Sequence, residues 1–471
     1  MIRVEGLSCR HPCQSSAALD RLTLEVGAGE LLLLSGPTGS GKSTLGLCLC
    51  GAIPRVLHAE VAGRVEVGGI DPARAPIREL ASRIGLLAQD VESQLFTDRV
   101  DDEVAFGLEN LAVPAAEMAG RVDRALAEVG AARLRGRWLA TLSSGERQRV
   151  AVAAVLALGQ RILVLDEPLA YLDRAGAARL LETLAALARR GTAVVVLEHR
   201  RDLVLPFADR ELWLHGGRLC PGAAPDHEFP SAAGLARGGG PCRLAFAGVE
   251  FGWGAAPLFE GVSCEVAAGE SAVLIGDNGT GKTTLLRLAL GLERAHRGRV
   301  ATCGRDAGAT PTRQLARRAA LVLQNPDHQL HLPTVAEEVS WGAVPAAAER
   351  EVEKLGLRGL EARHPHSLST GQKRRVTLAA ALARAPELLL LDEPSVGQDD
   401  GSLARVLGRL GEYVAAGGAL VAATHDRRVA RALAGRVLCL ARGRLTTGGP
   451  DLMEHHFAAA EAVPVKAAAG G

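Results

Sequence analysis

Short, unbroken apolar runs punctuate this chain. LLLLSG (31–36), ILVLDE (162–167) and AVVVLEH (193–199) lie in its first half, and SAVLIG (271–276), LLLLDE (388–393) and ALVAATH (419–425) in its second. Side chains alternate across a sheet, so a continuous apolar run suits a strand covered on both faces. Between the runs the period changes. In RVDRALAEVGAARL (121–134), Val122, Ala125, Leu126 and Val129 fall on one face of a helix. The run VAVAAVLALG (150–159) has the length of a buried helix. Strands alternating with helices predict an α/β fold with a parallel sheet, and each half opens on a β-rich stretch, such as CRLAFAGVEF (242–251).

The order of motifs repeats. GPTGSGKST (36–44) returns as GDNGTGKTT (276–284), LSSGERQRV (142–150) as LSTGQKRRV (368–376), and ILVLDEP (162–168) as LLLLDEP (388–394), while LEHR (197–200) takes the place of ATHD (423–426). Ser143 to Asp166 and Ser369 to Asp392 both span 23 positions; Asp166 to His199 and Asp392 to His425 both span 33. Chance does not preserve such intervals in order, so the chain is a tandem duplication. Its boundary falls in PGAAPDHEFPSAAGLARGGGPC (221–242), whose Pro, Gly and Ala content reads as linker. The expected domains are 1–220 and 243–456, and the tail 457–471, without periodicity, is expected to lack regular structure.

Composition narrows the partners. With 54 basic and 53 acidic residues among 471, the net charge of +1 gives no footprint for nucleic acid or an anionic membrane surface. The nine cysteines form no C-x-x-C pair, and Cys48 and Cys50 lie in an apolar stretch, so they read as small buried hydrophobes in a reducing compartment. The start, MIRVEGLSCRH, lacks the apolar core of a signal peptide, and no run reaches the ~18–20 apolar residues that span a bilayer. The chain is expected to be soluble by itself, with any membrane work done by a partner.

The two glycine-rich segments are P-loops in strand–loop–helix settings. Gly36, Pro37, Thr38, Gly39, Ser40, Gly41, Lys42, Ser43 and Thr44 form the first; Gly276, Asp277, Asn278, Gly279, Thr280, Gly281, Lys282, Thr283 and Thr284 form the second. Glycines let successive N–H groups turn toward an anion, and the helix N-terminus adds partial positive charge. Lys42 and Lys282 would reach the β- and γ-phosphates of ATP, and Ser43 and Thr283 would offer hydroxyls to Mg²⁺. Asp166 and Asp392, ending buried strands, suit the metal. Glu167 and Glu393 follow them and can orient and deprotonate the attacking water. His199 and His425 would contact the γ-phosphate and that water.

In the octets at 142–150 and 368–376, Ser143 with Glu146 and Ser369 with Gln372 fit the S-x-x-E/Q capping box of a helix start. With the other motifs, they give each half a resemblance to the nucleotide-binding subunit of an ABC transporter, over nearly all of residues 1–456. That resemblance implies tandem P-loop NTPase domains of ABC type, each with a sheet core, a β-rich and a helical subdomain, acting as an ATPase. It also implies head-to-tail pairing, in which Ser369, Gly371 and Gln372 bind the γ-phosphate of ATP on the Lys42 loop. Ser143, Gly145 and Glu146 then serve the Lys282 loop. Gln89 and Gln324 become the Gln-loop residues near metal and water, and Asp173 and Asp399 the D-loop aspartates. Trp253 and His11 take the place of the adenine-stacking aromatic. Gln398 departs from the Leu expected there.

QDVESQLFTDRVDDEVAFG (89–107) and QNPDHQLHLPTVAEEVSWG (324–342) resemble the segment of energy-coupling-factor ATPases and their cobalt/nickel relatives that lines the groove for coupling helices. This implies a peripheral ATPase on the cytoplasmic face of the membrane. Its partners would be a membrane scaffold and a small substrate-binding membrane protein, importing a vitamin, a precursor or a metal ion. Asp90-Val91 in the first copy, and His331 and Trp341 in the second, depart from the pattern. An exporter, another importer class, or a tandem protein acting on ribosomes or DNA remain alternatives. The short linker, rich in Gly and Pro, and the balanced charge weigh against the last.

Overall fold

The computed structural model describes residues 1–12, 16–220, 229–230, 239–254 and 256–461, and the chain divides into two compact units, Met1–Asp226 and His227–Gly471. Of the expected linker, 221–228 and 231–238 lie outside the described residues.

In the first unit a six-stranded sheet runs in the order Ile84–Leu87, Ile162–Asp166, Ala193–Leu197, Leu31–Ser35, Arg210–His215, Arg218–Cys220. All neighbours pair in parallel except the last two. The second unit repeats the order with Ala319–Val322, Leu388–Asp392, Ala419–Ala423, Ser271–Ile275, Arg436–Ala441 and Arg444–Gly448, again with only the last pair antiparallel. The unbroken apolar runs are the three central strands of each sheet, and every residue in them is buried. Leu31, Leu32, Leu33 and Leu34 have no exposed surface, and each such side chain contributes about 1.5–3 kcal/mol by leaving water.

Beside each sheet stands a smaller antiparallel one. Ile2–Arg10 pairs between Leu19–Val26 and Glu60–Val67, and Cys242–Trp253 pairs between Ala256–Ala267 and Arg297–Thr302. A helical group completes each unit: Val100–Asn110, Ala115–Glu128 and Ser144–Ala157 in the first, and Val335–Ser340, Pro345–Lys354 and Thr370–Ala383 in the second.

The helix expected over 121–134 ends at Glu128. Val122, Ala125 and Leu126 face the core as the periodicity requires, but Gly130 takes a φ of +67°, and Ala132–Leu134 is a separate 3₁₀ turn. At the other end, helix Pro450–Glu461 carries regular structure five residues into the tail, and 462–471 lie outside the described residues. Every described cysteine is a free thiol, with Cys48 buried. Among the described residues no helix is long and apolar enough to cross a membrane.

Candidate functional site

Each P-loop joins the middle of its sheet to a helix, Lys42–Leu49 in one unit and Lys282–Ala289 in the other. Gly41 and Gly281 cap these helices at φ +108° and +101°. A Cβ on Gly41 would collide with the Ala18 carbonyl, and one on Gly281 with the Phe259 ring. Gly39 and Gly279, both at φ +81°, face open space instead, so only the backbone angle demands glycine there. The buried Lys42 ammonium donates to the carbonyls of Gly36 (2.6 Å) and Pro37 (3.0 Å), and Lys282 to those of Gly276 (2.7 Å) and Asp277 (3.1 Å).

The sheet order carries the acidic residues to the same edge. Thr283 Oγ1 donates to Asp392 Oδ2 at 2.7 Å, and Ser43 makes the equivalent bond to Asp166. Burial raises both aspartates to about 6, against the pull of the hydroxyls and the nearby lysines. Paired hydroxyl and carboxylate oxygens beside a helix N-terminus are hard donors, so these residues fit Mg²⁺ with a phosphate chain.

Glu167 and Glu393 sit at φ +49° and +51°, where a residue with a Cβ costs about 1–3 kcal/mol, and the same strain occurs in both copies. Their N–H groups are tied to the Leu197 and Ala423 carbonyls of the adjoining strand, at 2.9 and 2.8 Å. Both side chains are buried, yet their charges are balanced differently. Burial, with Glu198 and Asp166 beside it, raises Glu167 to about 8 despite Lys42 and a hydrogen bond from Gln89. Burial opposes the charge on Glu393 too, but His425, 2.9 Å away, and Lys282 together outweigh it and hold this carboxyl below its ordinary range. His199 lies 3.8 Å from Glu167.

The remaining expected residues stand apart from these carboxylates in what they hold. Ser143 with Glu146, and Ser369 with Gln372, form complete capping boxes at the starts of Ser144–Ala157 and Thr370–Ala383. Gly371 packs so tightly on Gly397 that a Cβ would strike its carbonyl, and Gln398 donates to Gly371 O at 2.8 Å, which gives that unexpected glutamine a structural task. Asp173 and Asp399 cap the next helices, accepting from Gly176 and Ser402 N–H at 2.8 Å. His11 Nε2 lies 3.1 Å from Thr44 Oγ1, on the P-loop helix. Trp253 is more than half exposed, packed edge-on against Phe251.

Sequence reading passed over several supporting side chains. Gln94 and Gln329 accept the N–H of Ala88 and Leu323, each at 2.8 Å, and so fix the residue just before Gln89 and Gln324. Buried Glu103 accepts from Phe96 and Thr97, and buried Glu338 from His331 and Leu332, holding the loop onto the following helix. Arg374 donates to the carbonyls of Asp392 (3.3 Å), Glu393 and Gln324; Gln148, at the same place in the first unit, donates to Pro168 O at 3.0 Å. The signal was present, since the first four recur at matched spacing within the duplicated segments.

Comparison with known proteins fits this geometry. A family model described as ABC transporter matches residues 19–170 and 259–396. A Streptomyces coelicolor protein, provisionally named an ABC transporter ATP-binding protein, is 34% identical over 96% of this chain and 94% of its own. One from Methanosarcina acetivorans with the same provisional name is 32% identical, over 95% and 86%. The HMP/thiamine import ATP-binding protein YkoD of Bacillus subtilis, also a provisional name, is 29% identical over 93% and 90%. Among solved structures, the archaeal ribosome recycling factor aABCE1 shares the fold at a TM-score of 0.67 and 20% identity, covering 96% of this chain and 92% of that one.

Proposed function

This chain belongs to the ABC transporter family, and from that premise we propose that it is the paired ATPase of an importer of the energy-coupling-factor type. As a member of the family it is an ATPase that binds ATP and Mg²⁺. The P-loop amides with Lys42 and Lys282 would hold the phosphate chain, and Ser43 with Asp166 and Thr283 with Asp392 would hold the metal. Bound Mg²⁺ supplies charge neutralisation at the β- and γ-phosphate oxygens. Glu167 and Glu393 would take the proton of the attacking water, a role worth roughly 10²–10⁴ in rate. Gln89 and Gln324 would position that water, with His199 and His425 at the γ-phosphate. The signature residues Ser369, Gly371 and Gln372 would complete the Lys42 site, and Ser143, Gly145 and Glu146 the Lys282 site, through the anion affinity of a capped helix start. Asp173 and Asp399 would border these sites, with His11 and Trp253 against adenine.

The observation that carries the importer reading is the duplicated segment after each Gln-loop. It presents Phe96, on the loop pinned by Glu103, and Phe106, on helix Val100–Asn110, with ring centres 5.6 Å apart in the first unit, and Trp341, just past helix Val335–Ser340, in the second, all exposed. Aromatic side chains held out on a rigid frame suit an apolar partner helix. The import named for the Bacillus subtilis relative supports the same direction.

The test is to tag the chain at its C-terminus, solubilise native membranes gently and identify what co-purifies. A polytopic membrane protein with a second, small one is the expected result. Ribosomes or DNA-repair proteins without a membrane protein would overturn the importer reading and leave the ATPase.

A further inference from the structure

The units differ at a buried position next to the histidines that follow their proposed hydrolytic carboxylates. In the second, two groups of His425 address Glu393: its N–H donates to Oε2 at 3.2 Å, and Nδ1 lies 2.9 Å from Oε1. In the first, the same two groups of His199 address another carboxylate. Glu198 Oε1 accepts the His199 N–H at 2.9 Å and lies 3.2 Å from Nδ1, which is 3.8 Å from Glu167. The Arg200 N–H adds a second hydrogen bond to the same oxygen at 3.2 Å. Thr424 occupies the equivalent place in the second unit, equally buried, and its hydroxyl accepts from the Asp426 N–H at 3.0 Å.

Packing does not explain Glu198. It is 0% exposed, and its Oε2 is without a hydrogen-bond partner among the described residues, although a small neutral side chain fills the same place in the other copy. Burying a carboxylate with an oxygen unpaired is costly. What it does is take the histidine. The neighbouring main chain differs too: Arg374 donates to the Glu393 carbonyl, and Gln148 to that of Pro168.

We propose that Glu198 is a positioning residue that draws His199 off Glu167, so that ATP on the Lys42 loop is hydrolysed more slowly than ATP on the Lys282 loop. The proposal rests on the reading of Glu167 and Glu393 as the hydrolytic carboxylates. A base acts well only when its own hydrogen bonds fix it against the water. Glu393 has the backbone N–H bond from its histidine and Glu167 lacks it, and a misplacement of the base well under about 1 Å is enough for a difference of about tenfold.

The test is single-turnover phosphate release from the full chain with both loops loaded with Mg-ATP. Two phases of equal amplitude, about tenfold apart, are expected. E198T should merge the slow phase into the fast one, and T424E should slow the fast one by a similar factor. Affinity for a fluorescent ATP analogue should stay unchanged in both, which a general loss of structure would not allow. A single phase in the natural chain, or an E198T slow phase that does not move, overturns the proposal. If E198T fails to bind nucleotide, T424E decides alone, and an unchanged fast phase overturns it. Phosphate release that survives Glu167→Gln with Glu393→Gln would instead overturn the assignment of the bases.

Discussion

Glu103→Ala should loosen the loop bearing Phe96 while leaving the fold intact. A single oxygen, Glu103 Oε2, accepts the Phe96 N–H at 2.9 Å, the Thr97 N–H at 2.8 Å and the Thr97 hydroxyl at 3.0 Å. Hydrogen bonds to a charged acceptor contribute about 1.5–3 kcal/mol each, but three on one oxygen do not add, and an exposed loop can recover water on release. A net local loss of about 2–3 kcal/mol follows, and at 1.36 kcal/mol per decade this is a shift of about 30–150-fold in loop opening. Hydrogen exchange reads it directly. Protection of the Phe96 and Thr97 amides should fall by that factor, with amides in the central strand Ile162–Asp166 unmoved. Glu103→Gln keeps one acceptor without its charge and should lose about half the free energy, since neutral bonds are about half as strong. Capture of the proposed membrane partner should weaken with the loop. Unchanged protection at Phe96 and Thr97 in the alanine variant would refute the claim that this carboxylate holds the segment.

Three further outcomes follow from other parts of the molecule. Glu167→Gln together with Glu393→Gln should reduce steady-state ATP hydrolysis by roughly 10²–10⁴ while a fluorescent ATP analogue still binds, and full turnover would sink the assignment of the bases. Ser369→Ala removes the acceptor of the Gln372 N–H and should cost about 1 kcal/mol, read as a melting point lower by roughly 2–4 °C, whereas Ser369→Thr should hold most of it. Burial alone would raise Glu211, but Arg201, at 2.6 and 2.8 Å, and the Ser35 hydroxyl hold its carboxyl below the ordinary range. Its folded pKa therefore lies under the unfolded one, so its stabilisation is complete above the usual glutamate range and fades as the pH falls through the folded value. Melting points of the natural chain and of Glu211→Gln should accordingly differ near neutrality and converge in acid, and a constant gap would show that ionisation is not involved.

What sequence alone disclosed follows a physical division. Buried parallel strands must be apolar without interruption, so the six central strands were readable from hydropathy, and P-loops need glycine, lysine and a hydroxyl at fixed spacing because phosphate and metal have fixed sizes. The end of the helix at Glu128 was harder, since Val129 continues the periodicity and only Gly130 breaks it. The strain at Glu167 and Glu393 leaves no mark in residue type, because a left-handed φ there is imposed by the strand–turn geometry rather than by a glycine. The partners of Glu103, Glu338 and Arg374 are mostly backbone groups, and a backbone N–H or carbonyl has no letter in a sequence. Capping boxes were legible as helix starts.

The duplication itself bears on why the halves differ where they do. Two copies of one unit must place the same side chain at both sites, whereas one fused chain frees each site to change separately. Between the halves, five groups proposed for phosphate, metal and water keep their chemistry: Lys42 and Lys282, Ser43 and Thr283, Asp166 and Asp392, Glu167 and Glu393, His199 and His425. Several departures lie one step outward, as Gln148 against Arg374 and Glu198 against Thr424 near the carboxylates, and as Phe96 against His331 and Phe106 against Trp341 on the exposed segments. A group whose distance to the reacting atoms is set by the chemistry cannot change without loss of the step itself. The neighbour that aims it can, because moving a hydrogen bond from one carboxylate to another alters a rate rather than abolishing it. The five matched pairs therefore fit the proposed reading in which both sites turn over ATP, while the differences around them, Glu146 against Gln372 and His11 against Trp253 included, leave each half its own rate.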